Sequence, residues 1–370
     1  MKIRIRCIFS AAALLLTFFY IGCKGKPKHL EGPDILPDIQ QGVQTAHINN
    51  QLSDEAEELV KTGIYYHDSG DYLNAINYYN QAMELEPDHP VIFYEMGFTF
   101  ISLGDNKAAL ELAENGIAEA KKRNDRLVYP HLLELKGSAL ENLGRSEEAI
   151  NVYLEMINDY GVSSTVLFYN LAVNYNRINK QKEASDALVM GLLINPYHAN
   201  SNYLLGKVSM ESGKITQAFY ALSFFLLLEP NTERGQQAYN TILHLLKPQE
   251  TIGVRNNGTF TAADLIISVA FTLDEENFRL SDDEKTKIKL HYIFTNLEDQ
   301  KNTGKILRSN GDELWWDLYA PFFNRVVRSD YFGTFCRYIA ISADPDAEEW
   351  IRTGRDEIEG FFHWLNEYFE

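Results

Sequence analysis

Gly63 is followed 34 residues later by Gly97, and Pro196 is followed by Pro230 at the same interval. A fixed period of this length constrains the fold more than any other feature of the chain. Such a unit holds two short helices and a turn, and no single pair can bury its own apolar face. The pairs must therefore stack into a solenoid. The clearest unit runs from Ala56 to His89, with Asp68-Ser69-Gly70-Asp71 between two amphipathic stretches. Glycine tolerates positive φ, and Asp and Ser can hydrogen-bond freed backbone groups, so this tetrapeptide is the turn. Pro87 cannot continue a helix and biases Glu86 toward an extended conformation, which ends the second helix there. Small residues at Gly63 and Ala75 let two helix backbones approach, and Tyr66 and Tyr79 fill the space beside them.

These residues resemble the tetratricopeptide repeat. Gly63, Tyr66, Ala75, Tyr79, Ala82 and Pro87 stand at its consensus positions 8, 11, 20, 24, 27 and 32. The resemblance implies an all-α, helix-turn-helix solenoid of about five repeats. Phe93, Met96, Gly97, Phe100, Gly104 and Ala109 mark the second repeat, with Gly116 in place of the late alanine. The step from Gly97 to Gly137 is 40 residues; the surplus falls in Lys121 to Arg126, an extended helix and longer loop. Leu133, Gly137, Leu140, Gly144, Ala149 and Tyr153 mark the third, and Phe168, Ala172, Tyr175, Ala184, Leu188 and Gly191 the fourth. Gly206, Gly213, Ala218, Leu222 and Pro230 mark the fifth, whose second helix carries the apolar run Phe224 to Leu228. A helix from about Glu233 to Leu246 is expected to cap the stack, with a degenerate sixth repeat left open.

Beyond Lys247 the period stops, and residues 248 to 259 form a loop rich in turn residues. Helical patterns follow at Ala262 to Asp274, Asp282 to Asp299, Glu313 to Ser329, Tyr331 to Ile341 and Ala347 to Tyr368. Ser281 with Glu284 reads as a capping box, and Pro321 as a kink. The stretch is dense in aromatic residues, which suggests a compact helical domain. Neighbours on an α-helix point about 100° apart, so Trp315 and Trp316 are not both expected to face one core. One of the pair is expected to meet the repeat domain or a partner. The expected organisation is a leader over 1–22, a tether over 23–52, the solenoid and its cap over 53–247, and a C-terminal helical domain over 248–370.

The leader has a basic start (Lys2, Arg4, Arg6) and an apolar run from Ile8 to Ile21, too short and wrongly flanked for a membrane span. It closes on Gly22-Cys23, which resembles a bacterial lipoprotein signal, although Tyr20 stands where leucine is usual. The resemblance implies lipidation at Cys23. Lys24 after it, rather than Asp, implies sorting to the outer membrane, facing the periplasm. The Gly-, Pro- and Gln-containing stretch behind it reads as a tether reaching on the order of 30 Å.

The formal net charge is −18, which repels a phosphate backbone, so no nucleic-acid partner is expected. With cysteines only at 7, 23 and 336, no disulfide framework is expected. No Cys-x-x-Cys, His-Glu-x-x-His or Gly-x-Ser-x-Gly motif occurs, and no two histidines stand at helical ligand spacing. Gly206-Lys207 to Gly213-Lys214 is too widely spaced for a phosphate loop, and Ile215 stands where Ser or Thr is required. No catalytic residue, metal site or cofactor is expected, and Cys336 reads as a buried small hydrophobe.

In tetratricopeptide stacks the first helix of each pair lines an inner groove. Position 5 holds Val60, Tyr94, Glu134, Tyr169 and Tyr203 here, and position 9 holds Ile64, Phe98, Ser138, Val173 and Lys207. Asn170, Asn176 and Arg177 lie close by in the fourth repeat. The tyrosines offer rigid area with a polar tip, which suits binding of a protein or peptide. Arg177 and Lys207 predict an acidic segment or a carboxylate terminus. The carboxylate clamp of chaperone-binding members is absent: Asn170 fits its middle role, but Glu134 and Ser138 precede it and Asn200 and Leu204 follow. The expected function is a lipid-anchored interaction scaffold of a bacterial envelope. The alternative is an enzyme or a glycan- or small-ligand-binding module over 248–370, with the repeats as its docking platform. Contact of the groove with the chain's own C-terminal domain is the competing expectation for the inner face.

Overall fold

The computed structural model describes residues 52–246, 281–302 and 312–369, with Ala263, Ile266, Ile267 and Ala270 between them. The leader, Cys23 and most of the tether lie outside these residues, as does most of the helix expected from Ala262. Every element of the described residues is helical.

The period becomes five helix pairs. They are α1 (Asp54–Asp68) with α2 (Tyr72–Leu85), α3 (Pro90–Leu103) with α4 (Asn106–Arg123), α5 (Tyr129–Asn142) with α6 (Ser146–Tyr160), α7 (Thr165–Arg177) with α8 (Gln181–Ile194), and α9 (Ala199–Glu211) with α10 (Ile215–Leu228). The surplus residues of the second unit lengthen α4 by about a turn, and Asn124 ends it in the left-handed conformation at φ 53°. Each turn within a pair needs one residue at positive φ: Gly70, Gly104, Gly144 and Gly213, with Asn179 in the fourth. Asparagine is the side chain best able to replace glycine there.

Helix ends are closed by side chains where the sequence supplies them. Ser53 Oγ accepts from the Ala56 N–H at 3.4 Å, Asp105 from Ala108 at 3.1 Å, and Ser164 from Leu167 at 3.1 Å. Each such cap satisfies one of the orphan donors of a first turn. Within a pair, a side-chain-free position meets a large one. A β-carbon on Gly63 would stand less than 3 Å from the Tyr79 ring, one on Gly137 the same from Tyr153, and one on Gly206 the same from Leu222. Gly116, the departure from the late alanine, is held to glycine by Leu132, which a β-carbon would meet at 2.6 Å.

By internal packing the chain forms two compact units that divide between Asn195 and Pro196. The boundary expected at 247/248 falls inside the second of them. The first unit contains α1 to α8. Val60, Ala75, Tyr79, Ala82, Ile92 and Met96 make a core that runs from the first pair into the second.

The second unit contains α9, α10, α11 (Glu233–Leu245), α12 (Asp282–Asn302), a π-helical turn (Leu314–Tyr319), α13 (Ala320–Arg328), α14 (Phe332–Ile339), α15 (Ala347–Thr353) and α16 (Arg355–Phe369). The capping box opens α12: the Ser281 N–H donates to Glu284 Oε2 at 2.9 Å and the Glu284 N–H to Ser281 Oγ at 3.3 Å. The long C-terminal pattern is broken at Gly354, where a β-carbon would press on Trp350. Pro321, expected to kink its helix, stands just behind the π-turn, where the helical geometry changes from π to α.

α10 is apolar on every side and is buried on nearly every side, as such a helix must be. Phe224 stacks on Tyr319 at 5.0 Å and meets Phe322 at 5.4 Å, Tyr220 stacks on Phe323 at 5.8 Å, and Phe219 lies 5.3 Å from Phe294. The C-terminal helices thus complete the core of the fifth repeat. Asn202 on α9 is fully buried, donates to the Pro196 carbonyl at 2.7 Å and accepts from the Tyr319 hydroxyl. That satisfies a polar group whose stranding would be expensive.

Trp315 and Trp316 are both buried, against expectation. The pair lies in a π-turn closed by an Ala320 N–H bond to the Trp315 carbonyl five residues back, and the two rings are covered by different neighbours. Trp316 packs edge-on against Tyr220 of the fifth repeat at 6.3 Å, and Trp315 against Tyr319 at 5.7 Å.

Candidate functional site on the inner helices

Inside the first unit, the first helix of each pair packs beside the first helix of the next. These are α1, α3, α5 and α7, tied by bonds that span about one repeat. His67 Nδ1 on α1 meets Thr99 Oγ1 on α3 at 2.8 Å. Asn142 on α5 donates to Asn106 Oδ1 at 3.0 Å, at the start of α4. Asn174 on α7 donates to Glu141 Oε2 on α5 at 2.8 Å.

The expected groove residues divide between the two units. Tyr94 is buried, lying 6.4 Å from Phe98 in a stacked pair and edge-on to His131 at 5.8 Å. Phe98 is partly exposed and also meets His67 at 5.1 Å. Tyr169, Asn170, Val173 and Asn176 are all partly buried on α7. The Asn170 carbonyl accepts from Asn174 Nδ2 at 2.9 Å. Tyr203 and Lys207 belong to the second unit. There Tyr203 donates to Gln237 Oε1 at 2.8 Å, and Lys207 and Arg234 lie over its ring at 5.7 and 5.6 Å. Arg234 also reaches Asn200 Oδ1 at 2.6 Å. The bonds from Asn200 to Arg234 and from Tyr203 to Gln237 span one repeat length, which gives α11 the place of a first helix after the fifth repeat.

Arg177 does not present a free cation. Its guanidinium donates to the Glu141 carbonyl at 3.1 Å and lies 3.5 Å from the Glu141 carboxylate. Glu141 also accepts from the Tyr153 hydroxyl at 3.4 Å. Burial raises its pKa from the ordinary carboxylate value, while Arg177, Asn174 and Tyr153 oppose the shift.

Two other carboxylates on the same helices have no such support. Glu95 on α3 is partly buried, and burial with the nearby negative charge of Asp68 pushes its pKa up to about 8. Glu134 on α5, also partly buried, is pushed by burial up to about 7. Among the described residues neither carboxylate is hydrogen-bonded or ion-paired. Glu134 counts in the sequence only as a mark against the chaperone clamp, and the one sequence signal for Glu95 is a glutamate at repeat position 6 next to a position-5 tyrosine.

Among the described residues no group of three or more His, Cys, Asp or Glu side chains comes together to hold a metal, and no helix is long and apolar enough to cross a membrane. Burial pushes the Cys336 thiol up to about 12, so it stays protonated and inert near neutrality. The aromatic residues from Trp315 to Phe323 line a packed core rather than a surface.

Two family models match the chain: TPR repeat over residues 63–111, and tetratricopeptide repeat over residues 130–158. The chain therefore carries tetratricopeptide repeats, and its helical pairs form a scaffold of the kind that serves protein–protein interaction. No curated protein matches it in sequence. Among solved structures it is similar to PilF of Pseudomonas aeruginosa, at 16% identity and a TM-score of 0.45 over 64% of this chain and 97% of that one. MamA from residue 41 onward, of Desulfovibrio magneticus RS-1, is 17% identical over 48% of this chain and 97% of its own, with a TM-score of 0.43. A tetratricopeptide repeat protein of Parabacteroides merdae is 14% identical over 75% and 100%, also at 0.43. Likeness at this level says nothing of ligand or partner.

Proposed function

We propose that the chain is a lipid-anchored interaction scaffold of a bacterial cell envelope, held at the outer membrane through Cys23 and facing the periplasm. It binds a segment of a partner protein along the inner helices of its first repeats. The observation that carries the binding role is the exposed, mixed aromatic and polar character of α3, α5 and α7, set on rigid helix pairs. Phe98, Tyr169, Val173 and Asn176 all retain solvent exposure on those helices. Anchoring is supported by the basic-then-apolar leader that closes on Gly22-Cys23. Several acyl chains, at about 0.8 kcal/mol per buried CH₂, make such an attachment effectively permanent.

Two measurements test the two halves. Mass spectrometry of the mature protein should find Cys23 at the N-terminus and acylated, and Cys23→Ser should abolish that processing while the helical domain still folds. An intact leader or a free thiol at Cys23 refutes the anchor. For the binding role, a photo-crosslinking residue is placed at Phe98 or Tyr169, and separately at Leu73, which is 76% exposed on α2. Adducts from the inner positions and none from Leu73 are expected; the reverse moves the binding face to the outer helices.

A further inference from the structure

We propose that the inner face built by α1, α3 and α5 seats a lysine- or arginine-bearing segment of a partner protein, its cation received by Glu95 and Glu134 beside Tyr94 and Phe98. This rests on the reading of that face as a binding surface and names the chemistry of its occupant. The argument is one of charge complementarity. Asp68, Glu95 and Glu134 come from three successive first helices, and no ion pair to Glu95 or Glu134 is present among the described residues. Arg177, the cation that would have favoured an acidic occupant, is engaged by Glu141. A desolvated carboxylate without a partner is unfavourable, and an incoming ammonium or guanidinium relieves it. Phe98, partly exposed and in ring contact with His67 on one side and the buried Tyr94 on the other, supplies the aromatic surface over which such a cation and its alkyl stem also settle.

The face carries a pH signature. The titratable groups around the two carboxylates are Asp68 and His67 of α1, Tyr79 of α2, Tyr94 of α3, His131 of α5 and Tyr153 of α6. Burial lowers the pKa of His67, so it does not repel a cation near neutrality. Because burial keeps Glu95 and Glu134 partly protonated near neutrality, a bound cation expels protons. Affinity should therefore rise as pH rises through the range in which these carboxyls ionise.

The test is calorimetric titration of the full chain, held in neutral detergent, with an alternating Lys-Gly decapeptide and its Glu-Gly counterpart. The expected result is binding of the lysine peptide, at least about tenfold tighter near pH 8.5 than near pH 6, and little binding of the glutamate peptide. Glu95→Gln with Glu134→Gln should weaken the lysine peptide by about tenfold or more and remove the pH dependence. The melting temperature reports that this variant still folds. If the glutamate peptide binds as well, and its binding is lost in Phe98→Ala with Tyr169→Ala, the surface stands and the basic occupant is wrong. If neither pair of substitutions alters binding of either peptide, the surface itself is wrong. Failure of the lysine peptide to bind except when Lys24, Lys26 and Lys28 are replaced by Ser gives the seat to the chain's own basic segment and overturns the partner.

Discussion

The first four repeats and the fifth are written in the same period yet end in different physical states. In the first unit each pair is amphipathic: α6, for example, buries Ala149, Val152, Tyr153 and Met156 and leaves Glu147, Asn151 and Asn158 in water. The inner helices of that unit keep half-covered aromatic rings and two carboxylates that have no ion pair among the described residues. In the second unit the equivalent α10 has almost no wet face, because α9, the C-terminal helices and the π-turn cover it. The comparison teaches that a repeat is a template for backbone geometry only. What its remaining faces do is decided by side chains outside the consensus: polar ones leave a surface, and a run such as Phe224 to Leu228 demands a cover.

The largest expected effect breaks the covered half. Phe323 lies stacked on Phe294 at 4.5 Å and on Tyr220 at 5.8 Å. Phe323→Ala should destabilise the second unit by about 3–5 kcal/mol. Hydrogen exchange should then show α9 and α10 losing protection together with α12 and α13, while α1 to α8 keep theirs. Retained protection in α9 and α10 would mean that the fifth repeat draws its stability from the other four.

A smaller effect probes the open half. Gly137→Ala puts a β-carbon into the Tyr153 ring and should cost about 1–3 kcal/mol by overpacking. Denaturant unfolding should show the loss in the first unit. An unchanged midpoint would mean that α5 and α6 slide apart freely and that the close approach is not a constraint.

A third effect emerges only as pH rises. Glu95 has a pKa raised from 4.5 to about 8 in the folded state, so the folded chain holds a proton that the unfolded chain has released. Stability from this group is undiminished below the lower value and falls as pH rises toward the upper one. Glu95→Gln should leave the melting temperature nearly unchanged around pH 4 and raise stability by about 1–2 kcal/mol near pH 8.5. A variant less stable than the parent at the higher pH would mean that the carboxylate is paired in solution.

The smallest effect is a control on the wet surface. Arg145 donates to both oxygens of Glu148, at 2.7 and 2.6 Å, with both side chains well exposed. Arg145→Ala should shift stability by no more than about 0.5 kcal/mol. A larger loss would show that this exposed pair does more than screen.

The helix pairs were legible because their determinants are local or recur at one spacing. Gly63 against Tyr79 and Gly137 against Tyr153 lie within single repeats, and the turn at Gly70 is set by four consecutive residues. The lengthened α4 could be read from the surplus polar residues around Lys121. The candidate site was legible only in part. Tyr94, Phe98 and Tyr169 followed from repeat positions, but the cover over Tyr94 and Phe98 did not, because it comes from His131 and His67 on other helices. Arg177 looked like a free cation because Glu141, 36 residues earlier, is invisible to any local reading.

The sequence by itself determined the class of fold, the positions of the turns and the capping of the helix that begins after Ser281. These depend on backbone preferences and on contacts within one period, which a linear pattern records directly. Tertiary structure alone decided that Trp315 and Trp316 are both buried, because Tyr220 of the fifth repeat arrives over Trp316 while Trp315 packs on Tyr319. It also decided that α10 shares its core with residues about 100 positions later, and that Glu95 and Glu134 stand partly buried with no ion pair among the described residues. Burial and pairing at such separations depend on which surfaces meet, and no periodicity encodes that.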